Sequence, residues 1–382
     1  MKRLKDGQRH YIWQHEHWPQ WSWHNDRLIE VLGRARLRQG KFLSKIKSMG
    51  FALSRDAQVE VLVEEAVKTA SIEGQMFNRD SVRSSVAKKL GLPSGGLQRP
   101  DRHVDGLVDV LLDATRNFQK PLTVQRLKAW QASLFPTGYS NLSKIRTGSW
   151  RGPEPMQVVS GVPGREKVHY LAPPYQVLNA EIKQFLSWWK QSLGHTEGLL
   201  RAGVAHFYFV TLHPFEDGNG RIARALTDMA LAQDERQAAR YYSLSGQIMD
   251  ERQSYYDILE RCQKADMDIT AWLLWFLGCF ERSIQKSEKL LNQVLAKAVF
   301  WEEQRETLLS ARQRKVVNRL LDAGEQGFVG GLNTRKYVAI AKTSRATAFR
   351  EISDLVDKKI LRSGAGKGRN VSYDLIWPDL AL

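Results

Sequence analysis

The sequence predicts a mostly α-helical protein: a helical bundle carrying one β-hairpin, preceded by an N-terminal helical domain and followed by a winged helix-turn-helix. Three observations lead there. Apolar residues recur at three- and four-residue spacing through most of the chain. Several central segments, among them RAGVAHFYFVTL and ITAWLLWFLGCFERSI, are apolar almost all round and suit the middle of a bundle. After Arg305 come three helical patterns and then two strand-like pieces around RSGAGKGRN, the order of a winged helix-turn-helix.

At 382 residues, with 42% hydrophobic and 26% charged content, the chain is long enough for two or three globular units. The expected divisions are an N-terminal helical domain over 1–105, a central core over 106–300 and the winged helix-turn-helix over 301–382. Two cysteines, Cys262 and Cys279, do not make a disulfide framework, which points to a reducing compartment and a cytoplasmic location. The opening MKRLKDGQRHYIW is basic but lacks the apolar core of a signal peptide. The run from Ala271 to Phe280 is too short to span a bilayer and reads as buried helix, so no membrane role is expected.

The N-terminal part opens with Trp13, Trp18, Trp21 and Trp23. His15 and His17 lie among them without a second ligand pair at zinc spacing, so packing or surface roles are expected. From Ser54, a candidate cap, the apolar positions Val59, Leu62, Val63, Ala66, Val67 and Ala70 describe a one-faced helix. Gly74 suits its stop, which places Glu73 at the negative end of the helix dipole, where it needs a cation. Leu90 to Asp101 is rich in Gly and Pro and reads as a loop or boundary. Met156 to Tyr170 reads as a hairpin turning at Pro163 and Gly164. GAGKG fails the Walker A spacing and is read as a wing tip.

The net charge of +16 draws polyanions: nucleotides, nucleic acid or acidic protein surfaces. The excess sits at the two ends of the chain, roughly +7 in each. A solvated basic surface is the plain alternative.

The segment that carries chemistry is His213 to Arg224, HPFEDGNGRIAR. Asn219 between Gly218 and Gly220 gives unhindered main-chain N–H groups at a helix start, a concave site for an anion. Arg221 and Arg224, three apart, share a helix face and can clamp further phosphate oxygens. Asp217 offers a hard oxygen to magnesium, and His213 an imidazole able to take a proton from a hydroxyl.

This segment resembles the core motif of the Fic family, His-x-Phe-x-Asp/Glu-Gly-Asn-Gly-Arg-x-x-Arg, matching it at every fixed position. The resemblance implies a helical enzyme, a protein adenylyltransferase that moves AMP from ATP to a Ser, Thr or Tyr hydroxyl of a target protein. His213 would be the general base, Asp217 would hold Mg2+, and Gly218, Asn219, Gly220, Arg221 and Arg224 would bind ATP. Phe215 would anchor the loop. The hairpin over 156–170 would be the family's flap, holding a target segment by strand addition. Thr69 to Gly74, TASIEG, resembles the family's inhibitory motif Ser/Thr-x-x-x-Glu-Gly, so Glu73 would pair with Arg224 and displace the γ-phosphate. The segments YYSLS and SYYDIL offer Tyr241, Tyr242 and Tyr255 or Tyr256 as adenine contacts. Glutamate-bearing relatives also suggest the opposite reaction, removal of AMP with Glu73 orienting water. A reading of a different class is a DNA-binding regulator using 344–369, with Arg345, Thr347 and Arg350 in the major groove and Lys367 and Arg369 on phosphate. A homo-oligomer is compatible with the sequence.

Overall fold

The computed structural model describes residues 11–48, 51–92, 100–161, 165–324, 328, 330–364 and 371–377. It is mostly helical, as the periodicity requires. The chain divides into two compact units, Met1–Ser48 with Gln58–Ser287 and Met49–Ala57 with Glu288–Leu382. The break expected near residue 105 falls inside the first.

In order, the helices and strands are α1 (Asn25–Ser48), α2 (Phe51–Ile72), α3 (Arg79–Lys89), α4 (Arg102–Arg116), α5 (Val124–Leu134), β1 (Tyr139–Ser140), β2 (Ser143–Lys144), β3 (Gln157–Ser160) and β4 (Lys167–Leu171). They continue as α6 (Tyr175–Gln191), α7 (Gly198–Leu212), α8 (Asn219–Glu235), α9 (Leu244–Asp250), α10 (Arg252–Gln263) and α11 (Thr270–Glu303). The chain closes with α12 (Ala311–Ala323), α13 (Thr334–Ala341), α14 (Arg345–Asp357), β5 (Leu361–Ser363) and β6 (Tyr373–Leu375).

The first unit is built on α7 and α8. Both are buried nearly all round, which explains why their sequences show so little amphipathic pattern. In the core, the Trp272 indole donates 2.8 Å to the Gly203 carbonyl, satisfying a polar group that burial would otherwise penalise. The N-terminal tryptophans pack on the same unit. Trp18 and Trp21 meet Tyr208 edge to face, and Trp18 donates to Glu181 at 2.7 Å.

Helix α2 begins at Phe51, so Ser54 lies within it rather than capping its start. Its other end follows the sequence. The Gln75 N–H bonds the Ala70 carbonyl and the Gly74 N–H bonds the Ser71 carbonyl, both at 3.0 Å, a Schellman stop with Gly74 at φ +78°. Glu73 is the C-cap.

The expected hairpin is β3 and β4, antiparallel, with a register break between Val158 and Val159. Its turn at Pro163 and Gly164 lies outside the described residues, as do most of the Leu90–Asp101 loop and Lys367 and Arg369. In the second unit, Asn333 and Ser344 cap α13 and α14, and β5 pairs antiparallel with β6. Val316, Val317, Leu320, Tyr337, Ile352 and Leu361 belong to its core.

Candidate active site

Helix α7 ends at His213, whose backbone is left-handed (φ 46°, ψ 56°) and turns the chain sharply. The loop that follows is fixed from within. Asn219 reaches back to Phe215, accepting from its N–H at 2.9 Å and donating to its carbonyl at 2.8 Å. Phe215 is fully buried against Trp150, as an anchor should be. The Asn219 side chain therefore shapes the loop, and only its main chain is left for a ligand.

Two glycines of the loop leave room that a side chain would take. Gly218 has φ +92°, and a Cβ there would lie 3.0 Å from the Phe135 ring. At Gly220 a Cβ would fall 2.2 Å from Glu73 Oε1 and 3.1 Å from Arg224 Nη1. A side chain at 220 would have to displace the Glu73 carboxylate.

His213 Nδ1 lies 3.2 Å from the Val210 carbonyl. A carbonyl only accepts, so Nδ1 carries the hydrogen and Nε2 keeps its lone pair, the form a general base requires. Burial pushes the imidazole below its ordinary value of 6.5, Arg151 adds to that, and Glu73 and Asp217 oppose it. Arg151 is itself buried and bonds the His213 carbonyl at 2.9 Å.

Arg221 and Arg224 stand on one face of α8 and are 3% and 2% exposed. Arg221 lies over the Phe135 ring at 4.7 Å, donates to Gln75 at 2.9 Å and is 3.6 Å from Asp217. Arg224 is held by α2: Nε donates to Thr69 Oγ1 at 2.6 Å, and Nη2 to the Thr69 carbonyl at 3.0 Å and to Glu73 Oε1 at 2.7 Å. Arg221 Nε and Arg224 Nη1 are buried with no hydrogen-bond partner among the described residues. Two buried cationic donors left open beside a helix N-terminus are a site prepared for an anion.

The charge on Glu73 is explained by the same contacts. Burial alone would raise its carboxyl; Arg224, then Arg221 and His213, outweigh burial and hold it below the ordinary carboxylate value. Arg252 Nε adds a cation at the end of α2, 3.0 Å from the Ile72 carbonyl. Asp217 is partly exposed and accepts from Ser140 Oγ and from the Gly218 N–H. Among the described residues no cluster of three or more His, Cys, Asp or Glu side chains could by itself hold a metal ion.

The tyrosines divide. Tyr255 lies beneath Arg224, its hydroxyl 2.8 Å from His206 Nε2. Thr227 donates its own hydrogen to Ala223, so it accepts from His206 Nδ1, and Tyr255 donates to Nε2. Burial keeps His206 neutral, down to about 3, with Arg224 adding to it. Tyr255 is thus a support for Arg224 rather than an open ring face. Tyr242 is buried with its hydroxyl on Glu235 and Arg240 stacked on its ring at 4.1 Å, a packing role in place of the expected adenine contact. Tyr241 is half-buried, and Tyr256 points its hydroxyl to the Ile72 carbonyl at 3.4 Å. Thr69, Gln75, Ser140 and Arg151 were not singled out as site residues by sequence reasoning, and only the threonine, first residue of TASIEG, carried a signal.

The site combines a helix start, two buried arginines with open donors and a histidine whose Nε2 keeps its lone pair. Residues 121–231 match the family model described as the Fic/DOC family, and the chain carries a Fic/DOC domain, of a family that generally transfers nucleoside monophosphates to proteins. Residues 11–92, which include TASIEG, match a domain of unknown function, DUF4172. In fold, the chain is similar to a Fic family protein from Desulfovibrio desulfuricans G20, with 16% identity over 92% of this chain and 96% of that one and a TM-score of 0.52. It is also similar to a Fic domain containing signaling protein from Bacteroides thetaiotaomicron VPI-5482, with 16% identity over 68% and 97% and a TM-score of 0.52.

Proposed function

We propose that this chain is a protein adenylyltransferase that moves AMP from ATP to a hydroxyl side chain of a target protein and is held off by Glu73. The observation that carries the reading is the Glu73–Arg224 pair at 2.7 Å beside buried guanidinium nitrogens, Arg221 Nε and Arg224 Nη1, that have no hydrogen-bond partner among the described residues.

In the reaction, the target hydroxyl gives its proton to His213 Nε2 as its oxygen bonds the α-phosphorus, and the bond from that phosphorus to the bridging oxygen breaks, releasing pyrophosphate. The main-chain N–H groups that open α8 receive phosphate oxygens, and Arg221 and Arg224 take the remainder with charge-assisted hydrogen bonds. These donors are fixed before the reaction, so they stabilise the developing charge without reorganising. Asp217 fits a magnesium ion held through one carboxylate with the phosphates as other ligands, since it is 35% exposed at the rim of the loop. Bound there, magnesium would neutralise phosphate charge.

Glu73 inhibits by occupying the arginine that the outer phosphates need, and Thr69 and Gln75 hold the two arginines from the same end of α2. The target would add as a strand to β3, whose Gln157, Val159 and Ser160 are exposed.

The test uses the Glu73→Gly variant with magnesium, cell lysate and ATP labelled at either the α- or the γ-phosphate. Label reaching protein from the α position alone is expected. Label from the γ position would mean phosphoryl transfer and would overturn the reading.

A further inference from the structure

Away from the α8 loop, three side chains on the hairpin and α10 stand in line. Ser160 Oγ is 2.5 Å from His169 Nε2, and His169 Nδ1 is 2.5 Å from Glu260 Oε2. The other carboxylate oxygen, Oε1, accepts from Lys264 at 2.5 Å. Lys264 and His169 together outweigh burial and hold the Glu260 carboxyl down at about 2, so it is ionised and only accepts. Nδ1 must then carry the hydrogen facing Glu260. In the neutral ring Nε2 is left as acceptor, and the Ser160 hydroxyl donates to it. This is the order of nucleophile, base and orienting carboxylate.

The backbone explains how a hairpin brings these groups together. Val158 pairs with Tyr170 while Val159 pairs with Val168, so His169 is the extra residue of a β-bulge. A bulge re-aims a side chain, and here it lets one ring touch both Ser160 on β3 and Glu260 on α10. The relay is open at its serine end: Ser160 is exposed and the His169 side chain is 25% exposed. Gly161 follows, with φ +109° and no room for a Cβ, which would fall 2.9 Å from the Arg165 carbonyl. The main-chain N–H of the residue after a nucleophilic serine is a common oxyanion donor. A tether of hairpin to helix is already complete with His169 and Glu260. The serine adds to it a polarised hydroxyl on the exposed side.

We propose that Ser160, His169 and Glu260 form a second, covalent site on this chain, which takes small acyl esters. Ser160 Oγ bonds the carbonyl carbon while its proton passes to His169 Nε2; the ester C–O bond breaks and the alcohol leaves with that proton. Water then attacks the acyl-serine through the same base, yielding the carboxylic acid and the free hydroxyl. Glu260 is a positioning residue that holds the ring and its tautomer. Ser160 also lies on the strand to which the target would add, but the site shares no residue with the nucleotide pocket and is tested without it.

The test treats the full-length protein with a fluorophosphonate probe, maps the adduct by peptide mass spectrometry and follows p-nitrophenyl acetate hydrolysis. An adduct on Ser160 is expected, absent in Ser160→Ala and formed at least about tenfold more slowly in His169→Ala. Glu260→Gln should slow labelling and Glu260→Asp should restore it in part, with thermal midpoints confirming that each variant is folded. No adduct at Ser160 in folded wild-type protein, or equal labelling in His169→Ala, would overturn the proposal.

Discussion

In the proposed reaction, Arg224 is where inhibition and catalysis compete. Its Nη2 serves Glu73 and Thr69 while Nη1 stays open, so removing Glu73 frees donors without leaving the cation unsupported, because Thr69 and Tyr255 remain beneath it. A charge-assisted hydrogen bond contributes about 1.5–3 kcal/mol, and each 1.4 kcal/mol is tenfold, so Glu73→Gly should raise transfer by about tenfold or more in a steady-state assay. Gln75→Ala breaks only a neutral acceptor's bond to Arg221 and should raise it by a smaller factor, about twofold to tenfold. The pH dependence has a definite sign. In the proposed reaction His213 would act as the neutral base; its ordinary value is already lowered by burial, and deleting Glu73 removes a charge that favours the protonated ring. The acid limb of kcat/KM for Glu73→Gly should therefore have its midpoint below 6.5. An acid limb at or above that value would show that the titrating group is another. Asn219→Ala removes both bonds to the Phe215 main chain, and thermal unfolding should show a loss of about 2 kcal/mol.

At the scale of elements, the stop of α2 was readable because only a residue tolerant of positive φ ends a helix this way, and Gly74 stood where the apolar pattern ran out. The need of Glu73 for a cation followed from the dipole. The partners of Thr69 and Gln75 did not, since they lie 155 and 146 residues away and nothing local encodes such a contact. Ser54 misled because a cap-forming residue inside an apolar-periodic segment looks like a start when the pattern continues upstream of it. Aromatic residues at helical spacing are equally ambiguous, and Tyr242 and Tyr255 proved to be committed to Glu235 and His206. The bulge at His169 left no mark in the sequence at all. For α14, Arg345 and Arg350 are exposed beside Phe349, which is 61% exposed, while Ala348, Ile352 and Leu355 are buried. If this helix reads DNA, Arg345→Ala/Arg350→Ala should weaken duplex binding, and wild-type affinity should fall steeply as salt rises. No duplex shift at low salt would instead assign the C-terminal unit to protein contacts.

For the molecule as a whole, the balance of +16 fits an anionic nucleotide and acidic partners alike, and it did not identify the chemistry. The HPFEDGNGRIAR segment is what the proposed chemistry rests on, because a phosphate site at a helix start needs contiguous residues and therefore leaves a contiguous signature. What stays distributed is the proposed control: the C-terminal end of α2 and the residues just past it supply Thr69, Glu73 and Gln75 to arginines of α8 within one compact unit. The proposed inhibition requires that this contact silence an otherwise complete catalytic loop. The most direct measurement compares AMP transfer to protein by wild type, Glu73→Gly and Glu73→Gly/His213→Ala, each folded and supplied with α-labelled ATP and magnesium. Weak labelling by wild type, strong labelling by the single variant and none by the double are expected. Equal labelling by wild type and Glu73→Gly would contradict the inhibitory role of the Glu73–Arg224 pair, and undiminished labelling by the double variant would contradict His213 as the base.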